Sequence, residues 1–256
     1  MNKPAAELPG SGKDFLPQIN LLRGIAAVMV AFYHFATFSG EKGDLLDSHN
    51  LVKVSGHFGC QGVYIFFVIS GFVIPWSMYN GKYTLRKAGR FLAKRSLRIE
   101  PPYIVSFVLV ILINVFLSKM WGGEYPVDPK RVAFHIGYLI PFVHSKYEWF
   151  NIVYWTLGIE FQYYLTMTLL FPLLNHSNRY VRYSVMLFFL FMPFLYGDAG
   201  FLPLFGPCFL VGFVIFLMKT DRMKWPEAIV FLAASLVMNY FFRDWEVMAS
   251  TMFAFL

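Results

Sequence analysis

The sequence predicts an all-α, polytopic transmembrane helix bundle, and three observations carry that expectation. Hydrophobic residues make up 57% of the 256 positions and charged ones only 14%, too little polar surface to cover a soluble globule of this size. Several apolar runs approach or exceed the ~20 residues that cross a bilayer as a helix, without the alternation of a membrane barrel strand. The net charge of +7 resides in basic residues of short loops between those runs, where the positive-inside rule accounts for them without nucleic acid.

Taken in order, residues 1–14, MNKPAAELPGSGKD, are polar and rich in Pro and Gly, and read as a flexible cytoplasmic tail. They lack the basic start, apolar core and cleavage site of a signal peptide. A phosphate loop around GSGKD is excluded, because Glu7 stands where that loop needs Gly and Asp14 where it needs Ser or Thr. Spans are expected near 16–38, 59–79, 101–120, 155–174, 183–197, 201–218 and 225–242, all within one domain over 15–256. The stretch VAFHIGYLIPFVH at 132–144 is too short to cross as an ordinary helix.

The loop at 80–100 sets Lys82, Arg86, Lys87, Arg90, Lys94, Arg95 and Arg98 against Glu100 alone, which assigns it to the cytoplasm. The N-terminus is then cytoplasmic and the 39–58 loop external. NHSNRYVR after the fourth span and KTDRMK after the sixth also read as cytoplasmic. These assignments agree only if 121–154 is one external region in which 132–144 re-enters or lies in the interface. The final run, VMASTMFAFL, has no polar anchor behind it, so the chain is expected to stop inside a helix with further helices missing. Cys60 and Cys208 show no disulfide or metal-site spacing.

Ionisable groups inside spans are costly and mark candidate functional residues; here they are Arg23, His34 and Glu160. His34 lies eleven positions after Arg23, which puts both on one helix face, ~16 Å apart along the axis. Taken singly, a snorkelling Arg23 and an interfacial His34 are the ordinary explanations. Gly24, Ala26, Ala27 and Ala31 between them admit either a packed helix or a thin ligand. Glu160 lies one and a half turns into a span that runs inward from outside, near the depth of His34. A carboxylate beside an imidazole fixes the ring tautomer and supports a general base acting on a hydroxyl. The alternative is a Glu hydrogen-bonded within the bundle. Ser70, past mid-membrane, is expected to serve packing or backbone hydrogen bonding.

LRGIAAVMVAFYH with its Arg-x10-His spacing, GVYIFFVISGFVI, RSLRIEPPY with its Arg-x-x-Arg, and WTLGIEFQYYL occur in an order that resembles the membrane acyltransferase 3 family. That family includes bacterial O-acetyltransferases acting on lipopolysaccharide, peptidoglycan and exopolysaccharide. The resemblance implies that His34 is the essential histidine and Arg23 its upstream partner. It implies that Arg95 and Arg98 serve the acyl donor and that Glu160 is the acidic residue of the later helix. It also implies about ten helices, against the seven or eight read here. Glu100 departs from the pattern, standing where many members have an aromatic residue, and Pro102 doubles the expected proline.

The expected activity is transfer of an acetyl group from cytoplasmic acetyl-CoA, or another acyl-CoA, to a glycan or lipid-linked saccharide outside a bacterial inner membrane. Arg95, Arg98 and Arg23 would hold the donor, with His34 as general base, and with no metal or permanently bound cofactor. The partners are then donor, acceptor and membrane lipids. A transporter or flippase for a lipid-linked sugar, and a non-catalytic membrane subunit, are the other classes the same residues allow.

Overall fold

A computed structural model describes residues 17–37, 39–40, 43–44 and 50–255. The tail expected over 1–14 lies outside the described residues. The chain divides into two compact units, Met1–Gly62 and Val63–Leu256.

In the first unit, α1 (Pro17–Ala36) has 20 residues, ~30 Å of helix and enough to cross a bilayer. Pro17 opens it, where a fixed φ and a missing N–H cost nothing. A short antiparallel ladder pairs Ser39–Gly40 with Gly43–Asp44. Asn50 then starts α2 (Leu51–His57) by accepting the Val52 N–H at 2.9 Å. A 3-10 turn over Phe58–Gln61 leads directly into α3 (Gly62–Asn80). The loop expected to last until 58 is therefore helical from Leu51, and Leu51–Asn80 forms one 30-residue apolar span.

Three glycines explain how α2 and its 3-10 turn approach α1. A Cβ on Gly56 would lie 2.2 Å from the Ala36 Cβ, one on Gly59 2.2 Å from the Met29 carbonyl oxygen, and one on Gly62 2.5 Å from that of Ala26. Ala26 is wholly buried, so at that position ordinary helix packing uses the small residue.

The second unit continues α3 and adds α4 (Ala88–Met120), α5 (Pro129–Ile136), α6 (Tyr154–Leu174), α7 (Arg179–Leu195), α8 (Gly206–Lys219), α9 (Trp225–Phe242) and α10 (Trp245–Phe255). Its core centres on α8 and the turn before it: Phe205, Phe209, Phe213 and Phe216 are fully buried with Tyr163 of α6 and Phe189 of α7. Helices α3 and α8 cross backbone against backbone, because a Cβ on Gly212 would stand 2.4 Å from the Gly71 carbonyl carbon.

Among the described residues, six helices are long and apolar enough to span a membrane. The expected span at 183–197 corresponds to α7, whose 17 residues give ~26 Å. The 132–144 stretch becomes the eight-residue α5 and a 3-10 turn over Ile140–Val143, too short to cross.

One boundary differs sharply. The sequence places the start of the third span at Pro101–Pro102, whereas α4 runs unbroken for 33 residues from Ala88, ~50 Å of helix. Two prolines deprive the Leu97 and Arg98 carbonyls of their helical partners. Both rings are exposed, so no packed neighbour forces the helix to end there.

The basic loops gather at one end of this unit. Arg182 donates to the carbonyls of His176, Ser177 and Arg222, each at 2.8 Å. Arg222 in turn lies over the Tyr79 ring at 5.4 Å, and the Tyr83 hydroxyl donates to the Thr168 carbonyl at 2.7 Å. The loops that charge assigned to a common side thus meet in space.

Candidate active site

Glu160 stands on the second turn of α6, and Tyr164 follows four residues later on the same face. The Tyr164 hydroxyl donates to Glu160 Oε1, and Ser70 Oγ of α3 donates to the same oxygen at 3.3 Å. Ser70 was expected only to pack or to bond backbone. Its buried hydroxyl pairs instead with the carboxylate, the best acceptor in an apolar interior.

On α4, Arg95 and Arg98 are three residues apart and share a face. The Arg95 guanidinium lies 5.4 Å from the Phe91 ring centre and 5.9 Å from that of Tyr164. The sequence put these cations toward one face of the membrane and Glu160 toward the other; the structure brings Arg95 and Glu160 together at Tyr164, with Arg98 exposed one turn farther along α4. The reason is the early start of α4, which carries Arg95 and Arg98 ~10 and ~15 Å along the helix from Ala88. Tyr163 is wholly buried beside them, its ring 4.1 Å from that of Phe209 and its hydroxyl without a hydrogen-bond partner among the described residues.

Above this layer Tyr103, Phe107, Tyr138, Phe150 and Tyr154 pack into an aromatic cluster. Short polar links hold it: Tyr103 donates to the His135 carbonyl at 3.0 Å, and Ser106 and Tyr154 share a hydrogen bond of 2.8 Å. His135 Nε2 accepts the Phe150 N–H at 3.1 Å. Burial, with the Arg131 cation nearby adding to it, pushes this imidazole down to about 4. At the rim, Asp128 caps α5 through the Lys130 N–H and accepts the Tyr147 hydroxyl, both at 2.8 Å. The Tyr147 bond, then the Lys130 bond, hold that carboxyl below its ordinary range.

In the first unit, Arg23 and His34 both lie on α1, half-buried and separated by three turns. The His34 ring meets Tyr33 edge-on at 5.1 Å, and Tyr33 lies 6.4 Å from His57. His57, at the end of α2, is a second imidazole the sequence reading did not single out.

Two guanidinium groups on one helix face suit phosphate oxygens. The Glu160 oxygen that takes two hydroxyls is a fixed acceptor beside them. Among the described residues no three His, Cys, Asp or Glu side chains stand together as metal ligands.

A family model described as an acyltransferase domain matches residues 16–254. Nodulation protein 10 of Rhizobium leguminosarum bv. viciae is 27% identical over 182 residues, which cover 62% of this chain and 45% of that protein. The chain thus corresponds to less than half of that relative's length. No solved structure matches it.

Proposed function

The chain belongs to the acyltransferase 3 family, and we propose that it moves an acetyl group from cytoplasmic acetyl-CoA to a hydroxyl of an extracytoplasmic glycan. One observation supports this reading above others: the half-buried Arg95 and the Glu160 carboxylate meet at Tyr164 inside an otherwise apolar helical unit, with Arg98 exposed one turn farther along α4. A charged cluster in such a place is expensive unless it serves a substrate.

In this proposal Arg95 and Arg98 grip the phosphates of coenzyme A. Arg23, near the start of α1, receives the pyrophosphate or the pantetheine arm. His34 takes the proton of the acceptor hydroxyl as its oxygen attacks the thioester carbonyl. The new C–O bond forms, the C–S bond breaks, and the coenzyme A thiolate leaves to be protonated. Glu160, held by Ser70 and Tyr164, supplies the carboxylate of the site. The N-terminus is cytoplasmic and the membrane is the bacterial inner one.

The test is glycan analysis of a deletion strain. Loss of an O-acetyl group, restored by re-expression, supports the proposal. Unchanged acetylation overturns it, and loss of the whole glycan points instead to a carrier of lipid-linked sugar.

A further inference from the structure

Arg243 ends α9, its amide bonded to the Asn239 carbonyl at 3.0 Å. Because α9 follows a loop that the charge pattern assigns to the cytoplasm, Arg243 falls on the external side. A cation there runs against the bias that orients the chain, so topology does not explain it. Its guanidinium lies 5.5 Å from the Tyr64 ring centre and 5.4 Å from that of Phe205, and a terminal nitrogen donates to the Tyr64 hydroxyl. Both rings are buried, and Phe205 lies 5.5 Å from the ring of the half-buried Trp155 on α6.

No carboxylate balances this charge among the described residues. The ion pair there joins Arg179 to Glu227, and Asp244, next in the chain, accepts the Val247 N–H at 2.8 Å and so starts α10. The Arg243 Nε is buried and has no hydrogen-bond partner among the described residues. A half-buried guanidinium held against two aromatic rings has already lost much of its freedom, and its unmet charge costs free energy that an anion recovers. Helices α6 and α8 begin at the same end, Trp155 in the first turn of one and Phe205 at the N-cap of the other, so their positive dipole ends add to the potential. We propose that Arg243, set on Tyr64 and Phe205 with Trp155 beside them, binds the carboxylate or phosphate of an acidic acceptor saccharide. The proposal rests on the acyltransferase reading and its orientation, and deepens it by giving the acceptor a charge.

The guanidinium only donates hydrogen bonds, and an anionic oxygen pair meets its fork better than a neutral hydroxyl does. Position separates this anchor from the donor's phosphates. Arg95 lies against Tyr164, whereas Trp155 stands nine residues earlier on α6, ~14 Å toward its outer end.

Purified wild type, Arg243→Lys and Arg243→Gln are titrated by calorimetry with tetragalacturonate, glucose 1-phosphate, inorganic phosphate and neutral cellotetraose, and separately with acetyl-CoA. We expect one of the two charged sugars to bind the wild type more tightly than cellotetraose or inorganic phosphate does, and more weakly as salt is added. Which of the two it is distinguishes a carboxylate from a phosphate. Arg243→Gln should raise that Kd about tenfold or more and Arg243→Lys less, with the acetyl-CoA Kd within about twofold of wild type. Inorganic phosphate binding as tightly as either sugar overturns the saccharide assignment. Failure of both charged sugars to bind the wild type, equal binding by Arg243→Gln, or a parallel rise in the acetyl-CoA Kd, as general loss of structure would give, overturns the anchor. Wild-type membranes that move no label from radiolabelled acetyl-CoA overturn the acyltransferase reading; charged-sugar binding that is lost in Arg243→Gln would still uphold the anchor.

Discussion

Removing the two arginines of α4 is the perturbation whose size can be worked out most directly. A charge-assisted hydrogen bond contributes ~1.5–3 kcal/mol. Arg98 is exposed, so solvent screening places its loss at the low end, about a tenfold rise in the acetyl-CoA Kd for Arg98→Ala. Arg95 is half-buried and already ordered over Phe91 and Tyr164, which places Arg95→Ala nearer 3 kcal/mol, roughly a hundredfold. Because side chains three residues apart can grip one phosphate group, the double variant should lose less than the product of the two factors. Arg95→Lys keeps the charge without the planar fork and should fall between wild type and Arg95→Ala. The assay is equilibrium binding of radiolabelled acetyl-CoA to purified protein at two ionic strengths, with salt weakening the wild type more than the double variant. An unchanged Kd in the double variant refutes the donor assignment.

Two further outcomes follow from packing and from titration. In Gly212→Ala the new Cβ would meet the Gly71 carbonyl carbon and the Val68 carbonyl oxygen at 2.4 Å, an overpacking worth ~1–3 kcal/mol that should lower the melting temperature in detergent. Gly89, with nothing within 4 Å of its would-be Cβ, is the control: Gly89→Ala should be neutral or stabilising, and an equal loss at both sites would refute the packing account. His135 binds its proton more weakly when folded, at about 4 against the ordinary 6.5, so the unfolded chain holds the extra proton between those values. Its contribution is therefore complete above about 6.5 and is lost as the pH falls toward 4, by up to ~3 kcal/mol. His135→Asn should flatten the acid side of a stability profile, and an unchanged slope would count against this role.

The spans were legible because each is a run of apolar residues, and α9 falls on the expected 225–242. What polar composition hid was helix that continues beyond the apolar run. Leu51–His57 contains Lys53, Ser55 and His57 yet is helical, and the local signal was Asn50, a good N-cap. The charged stretch before Pro101 concealed the true start of α4, since proline in mid-sequence ordinarily argues for a boundary. In the site, Glu160 was visible as an ionisable group in a span, and Tyr164 was available from the four-residue helical spacing. The pairing of Ser70 with Glu160, 90 positions away, and the left-handed turn at Tyr138 left no mark that a single sequence reveals. Their roles depend on which helices become neighbours.

One labelling experiment tests together whether this chain transfers an acyl group and whether His34 takes the acceptor's proton. Membranes carrying wild-type protein or His34→Ala, at matched amounts of inserted protein, are given radiolabelled acetyl-CoA, and label in the glycan fraction is counted. Label accumulating with the wild type and falling to background with His34→Ala is the predicted result. Equal labelling by both, or none by the wild type, would contradict it.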